Sequence, residues 1–159
     1  MKGANQTRRG RRGFTLVELV VAFTIMLILS TMALPLARYT VRREKEKALM
    51  DALEEMRHAI DHYKDMSDQQ KIVPGKIDSY GYPESLQAMV DGVKLTGSPD
   101  KKMKFLRRIP MDPMTHTRDW GVRSMQDDPD SQAWGGENVF DVYTKSQEKA
   151  ADGTPYSDW

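Results

Sequence analysis

Residues 14–37 carry a single formal charge, Glu18, in an otherwise apolar run that begins FTLVELVVAF. At 1.5 Å per residue this block makes a helix of roughly 36 Å, enough to cross a hydrocarbon core of about 30 Å with some tilt. Elsewhere the 159-residue chain is polar, and its mean hydropathy is −0.64 despite the block. A polar chain with one dense apolar segment reads as a membrane-tethered protein. The net charge of +1 gives no global pull toward nucleic acid. There is no cysteine, so disulfides, thiolate metal sites and cysteine nucleophiles are excluded, while the compartment stays open.

Arg8, Arg9, Arg11 and Arg12 precede the block, which predicts a leader held in the cytoplasm. Arg38, Arg42 and Arg43 on the other flank weaken that bias. A secretory signal peptide is the competing reading. Its apolar region usually runs about 7–15 residues, shorter than this one, although STMALPLA resembles a cleavage site. That alternative predicts a secreted hydrolase with a soluble mature N-terminus near residue 38.

Glu18 is the anomaly. An acid inside a bilayer costs about 2.5–3.5 kcal/mol and is a functional candidate by default. No cation lies within the apolar block. Cleavage between Gly13 and Phe14 would create an ammonium at the start of the helix. In a neighbouring chain shifted along the helix axis, that amine and Glu18 would meet.

The segment RRGFTLVELVVAFTIMLILSTMALPLA resembles the N-terminal signature of type IV pilins and type II secretion pseudopilins. The resemblance implies that Gly13 precedes the cut made by a prepilin peptidase. It implies that Phe14 becomes the methylated N-terminal residue and that Glu18 pairs with a neighbour's amine during assembly. Thr15, Leu16 and Leu19 fit the same consensus. Pro35 matches a proline often found in the long helix of that family, and its missing donor predicts a kink or local melting over residues 31–35.

Past Pro35 the sequence turns charged (RYTVRREKEK). Leu49, Leu53, Met56, Ile60 and Tyr63 then recur at steps of four and three, an apolar stripe on one helix face that should cover a small globular head. A coiled coil is a weaker reading over fewer than three heptads. His58 and His62 are spaced i, i+4, but without an HExxH pattern they read as solvated rather than as zinc ligands. Residues 67–83 read as loop, and PESLQAMVDGV reads as a short helix with Pro83 in its first turn. TGSPDKK reads as a turn. WGVRSM and NVFDVYTK are strand candidates, and Tyr156 and Trp159 should pack back on the head.

The order YPESLQAMV, LRRIPMDPMT, NVFDVYTKS, DGTPYSDW is similar to that of the major pseudopilin, or G subunit. Ile109, Pro110, Asp112 and Pro113 match its loop, with Met114 where an aromatic is usual. Phe140, Asp141, Val142 and Tyr143 match its strand. The resemblance implies a possible calcium site in the final loop, with Glu148, Asp152 and Asp158 as candidate ligands. Calcium takes six to eight oxygens, so backbone carbonyls would have to complete the set. No other cofactor is implied, and no GxSxG, P-loop, GxGxxG or HExxH motif suggests an enzyme.

The expected fold is α+β: one long N-terminal helix on a head with a short helix and a small antiparallel sheet. The expected segments are a cleaved leader (residues 1–13), a transmembrane or filament-core helix (14–37), its amphipathic continuation (38–66) and a periplasmic head (67–159). The resemblance implies a structural subunit of a type II secretion pseudopilus, anchored in the bacterial inner membrane. Its partners would be further copies of itself, the prepilin peptidase, minor pseudopilins, and an inner-membrane platform with its ATPase. A type IV pilus pilin, or a minor pilin displaying a head for DNA or surfaces, is the alternative.

Overall fold

The helical stripe is where the fold begins. In the computed structural model, which describes residues 15–73 and 75–159 and only the backbone of 32–37 and 99, α1 runs Leu16–Asp68. The chain divides into two compact units, Met1–Arg42 and Arg43–Trp159.

In the second unit the stripe is buried as its spacing predicts. Leu49, Leu53, Met56, Ile60 and Tyr63 are all in the core, joined by Ala52 and Ala59 on the same face. Each large side chain so buried contributes about 1.5–3 kcal/mol relative to an exposed one. Ile72, Leu86, Met89, Leu106, Met114, Trp120, Val139, Val142 and Tyr156 complete this core.

The end of α1 has a definite cause. Gln70 sits at φ 55° in the left-handed region. Its N–H donates to the Ser67 carbonyl at 2.9 Å, and the Lys71 N–H donates to the Met66 carbonyl at 2.9 Å. This is the paired closing pattern that usually takes glycine at the left-handed position.

The short helix is α2, Leu86–Asp91. It starts later than its sequence suggests. Ser85 is its N-cap and accepts from the Ala88 N–H at 3.1 Å, and a serine oxygen satisfies an otherwise unpaired donor there. Pro83 lies outside the helix, where its carbonyl accepts from the Val139 N–H at 2.8 Å. Gly92, at φ 86°, closes α2.

The residues read as a turn after α2 instead form a hairpin, β1 (Val93–Leu95) with β2 (Ser98–Met103). Lysines and a proline hid it, because such residues are tolerated where a strand lies at a sheet edge. The chain just after α1 joins its margin, with Ile72 bridged to Leu95. The two strands expected later are present but short, β3 (Gly121–Arg123) and β4 (Asp141–Tyr143), antiparallel with Val122 opposite Val142. Among the described residues there are therefore two separate two-stranded sheets rather than one. Val139, Val142 and Thr144 are all buried despite mixed parity, because regular pairing covers only three residues and alternation lapses outside it. Gly121 is needed within β3: a Cβ there would lie 2.2 Å from the Tyr143 ring. That ring in turn carries the Arg123 guanidinium 4.2 Å from its centroid.

The loop between β2 and β3 is organised by a fully buried carboxylate, Asp112. Its Oδ1 accepts from the Met114 N–H at 2.8 Å, and its Oδ2 accepts from the hydroxyls of Thr115 and, across the core, Thr144. Trp120 donates its indole N–H to the Pro110 carbonyl at 2.9 Å. The C-terminal segment packs back as expected. Tyr156 is buried, meets Trp159 edge-on at 5.0 Å and donates its hydroxyl to Glu46 on α1 at 2.6 Å. Arg57 ties α1 to β4 and to the C-terminal segment through Asp141 (2.7 Å) and the Trp159 carbonyl (2.7 Å).

Two stability changes are expected in thermal or urea unfolding of the detergent-solubilised chain, followed by near-ultraviolet circular dichroism. Gln70→Gly relieves the left-handed strain and raises stability by about 1 kcal/mol. Asp112→Ala leaves buried donors without an acceptor and lowers it by about 3 kcal/mol or more.

Candidate assembly site

The first turn of α1 carries the residue on which the sequence argument turned. Thr15 precedes the helix, and its Oγ1 accepts from the Glu18 N–H at 3.2 Å. The Leu19 N–H donates to the Thr15 carbonyl at 3.2 Å. Thr15 and Glu18 thus occupy the two positions of an S/T-x-x-E capping box. An acid in a first turn is also favoured by the helix dipole. Glu18 therefore has a local reason for its place that the search for a cation passed over, although TLVE was legible as a cap. Its carboxylate is exposed and makes no ion pair or hydrogen bond among the described residues.

Every side chain from residue 15 to 31 is exposed. The large apolar ones range from 46 % exposed at Leu19 to 78 % at Leu16. The threonines within the run satisfy themselves: Thr24 donates to the Val20 carbonyl at 2.8 Å and Thr31 to the Ile28 carbonyl at 2.7 Å. Phe23, Met26, Leu27, Ser30 and Thr31 border a shallow groove of about 350 Å³. Among the described residues no helix is long and apolar enough to cross a membrane.

Gly13 and Phe14 lie outside the described residues. The α1 backbone remains helical through Pro35.

The other candidates do not converge. Asp152 accepts from the Thr154 N–H at 2.9 Å, and Asp158 accepts from the Ser157 hydroxyl at 3.0 Å. The Glu148 carbonyl, rather than its carboxylate, meets the Tyr156 N–H at 3.2 Å. Among the described residues no three His, Cys, Asp or Glu side chains gather as a metal site. These three acids therefore do not fit calcium's need for many converging oxygens. His58 stands 3.9 Å from Glu54, and His62 meets the Phe105 ring edge-on at 5.3 Å.

Tyr63 and Asp127 have displaced acidities. Burial pushes the Tyr63 phenol up, with Glu84 adding to the effect. Asp127 is held below the ordinary Asp value of 3.8 by the backbone N–H groups of Ser124 and then Gly135, which it accepts at 2.7 and 3.2 Å.

Residues 8–34, which include Gly13, Phe14 and Glu18, match the family model of the prokaryotic N-terminal methylation motif. Over 142 residues the chain is 27 % identical to the type II secretion system core protein G of Pseudomonas aeruginosa, covering 86 % of this chain and 84 % of that protein. The chain carries the methylation motif and is similar along most of its length to a G-type pseudopilin. No solved structure matches it. The motif covers the first part of the chain, while the similarity to core protein G extends through most of its length.

Asp127 sets a pH dependence. Its folded-state pKa is depressed, so its stabilising effect is full above the ordinary Asp value and is lost as pH falls through the lowered one. The stability difference between the wild-type chain and Asp127→Asn should therefore shrink as denaturation is repeated from pH 5 down to about pH 2.

Proposed function

We infer that this chain is a pseudopilin, a structural subunit that polymerises into the pseudopilus of a type II secretion system. One observation carries the reading. The first half of α1 presents large apolar side chains on all sides, and among them stands one acid with no partner among the described residues. A helix apolar all round needs lipid or other helices against it. Before assembly that surrounding is the inner membrane, and afterwards it is neighbouring copies. Lipid tails are as apolar as the helices, so leaving the bilayer has little hydrophobic drive. Extraction therefore needs work from an ATPase acting through a membrane platform. The head faces the periplasm, and minor pseudopilins join the fibre.

Prepilin peptidase removes residues 1–13 after Gly13 and methylates the new amine of Phe14. That amine is the cation Glu18 lacks. A buried ion pair returns little net stability after desolvation, but it selects one stagger between neighbours. Pro35 lets the helix flex as copies pack.

N-terminal sequencing and mass measurement of the native protein test the scheme, with methylated Phe14 expected at the start. Gly13→Asp should leave the arginine-rich leader attached. Glu18→Ala should be processed normally yet fall by at least about tenfold in sheared polymer, because the acid acts in docking and not in cleavage. Normal polymer from Glu18→Ala, in cells lacking the wild-type copy, would remove the pairing role.

A further inference from the structure

Among the arginines of the second unit, Arg57 and Arg123 differ from three others. Arg57 and Arg123 have acceptors: Asp141 for Arg57, and Asp141 with the Ser131 carbonyl for Arg123. Arg107, Arg108 and Arg118 have no ion pair or hydrogen bond among the described residues. All three line one concavity of about 590 Å³, shared with Glu55, Pro110 and Met111. The hollow is built on the rigid part of the head. Arg107 and Arg108 enter the loop that Asp112 pins from inside, and Arg118 leaves it just before the anchored Trp120. Three guanidinium groups against one carboxylate repel one another unless an anionic group enters.

The same unit carries the converse feature. Asp128 and Asp130 flank Pro129 at the tip of an exposed loop, and neither carboxylate has a partner among the described residues. The base of that loop is fastened. Asp127 accepts from Ser124 and Gly135, the Ser131 N–H donates to the Asp128 carbonyl at 2.9 Å, and Arg123 holds the Ser131 carbonyl at 2.8 Å. The result is an anchored acidic loop on the same unit as a basic hollow whose arginines have no acidic partner among the described residues.

We propose that the Arg107–Arg108–Arg118 hollow receives the Asp128–Asp130 loop of a second copy of this chain. Arginine forks match carboxylates with two donors each. Because loop and hollow are different surfaces, the contact is head-to-tail and can propagate as an open fibre. Like-charged surfaces oppose loop-to-loop and hollow-to-hollow encounters, so the contact also selects orientation. It rests on the polymer reading above and names one head contact within it.

The test uses the full-length chain produced with its own secretion machinery, and sheared polymer is measured. The triple change Arg107→Glu, Arg108→Glu, Arg118→Glu and the double change Asp128→Arg, Asp130→Arg should each lower polymer at least about tenfold. Joining all five in one chain should restore it. Melting temperatures of the variants should match wild type, since all five side chains are exposed. The chain has no cysteine, so Met111→Cys, at the hollow, with Pro129→Cys, at the loop tip, should give a disulfide between copies. If wild type polymerises while both charge variants stay within about twofold of it, or no disulfide forms, the contact is overturned. If wild type forms no polymer, the subunit reading falls first and the contact falls with it.

Discussion

Burial of a single stripe on α1 is the constraint around which the C-terminal unit is organised. Leu49, Leu53, Met56, Ile60 and Tyr63 present a continuous apolar face, and everything after residue 68 is arranged to keep water from it. Two sheets with so few paired residues could not hold together by strand pairing alone. They persist because α2, the Asp112 loop and the C-terminal segment close over the same stripe. Polar anchors then set orientation: Arg57 reaches Asp141 and the Trp159 carbonyl, and Tyr156 reaches Glu46.

The first part of α1 follows the opposite rule. Its apolar residues have no single face, and among the described residues 15–31 all of them are exposed. An exposed apolar surface of that kind marks an interaction site. The two patterns divide the protein's tasks. One-sided burial makes a head that is stable within one chain, while all-round exposure makes a helix that is complete only in lipid or among copies. Glu18 stands at the start of that second pattern, where the Thr15 cap fixes its backbone and leaves its carboxylate available.

Much of this was legible beforehand because helical periodicity is a local signal. The alternating steps of three and four named the core face of α1, and the basic leader, Gly13, Phe14 and Glu18 spelled out the N-terminal methylation motif. The β1–β2 hairpin was not legible, since SPDKKM has neither alternation nor β-branched residues, and its pairing is supplied by a neighbouring strand. Ser85 was overlooked as the start of α2 because Pro83 offered a plausible one two residues earlier. The three acids of the final segment looked like a ligand set in one dimension, and in space two of them serve local turns instead.

Sequence alone determined the helix, its two apolar patterns, the absence of cysteine chemistry and the motif around Gly13, Phe14 and Glu18, because each depends on residues near one another in the chain. Tertiary structure decided which charges are satisfied. Asp112 is buried against Thr144, Arg57 and Arg123 are held by Asp141, and Arg107, Arg108 and Arg118 are left facing a common hollow. Coulomb energy depends on distance in space, and only the folded chain sets those distances.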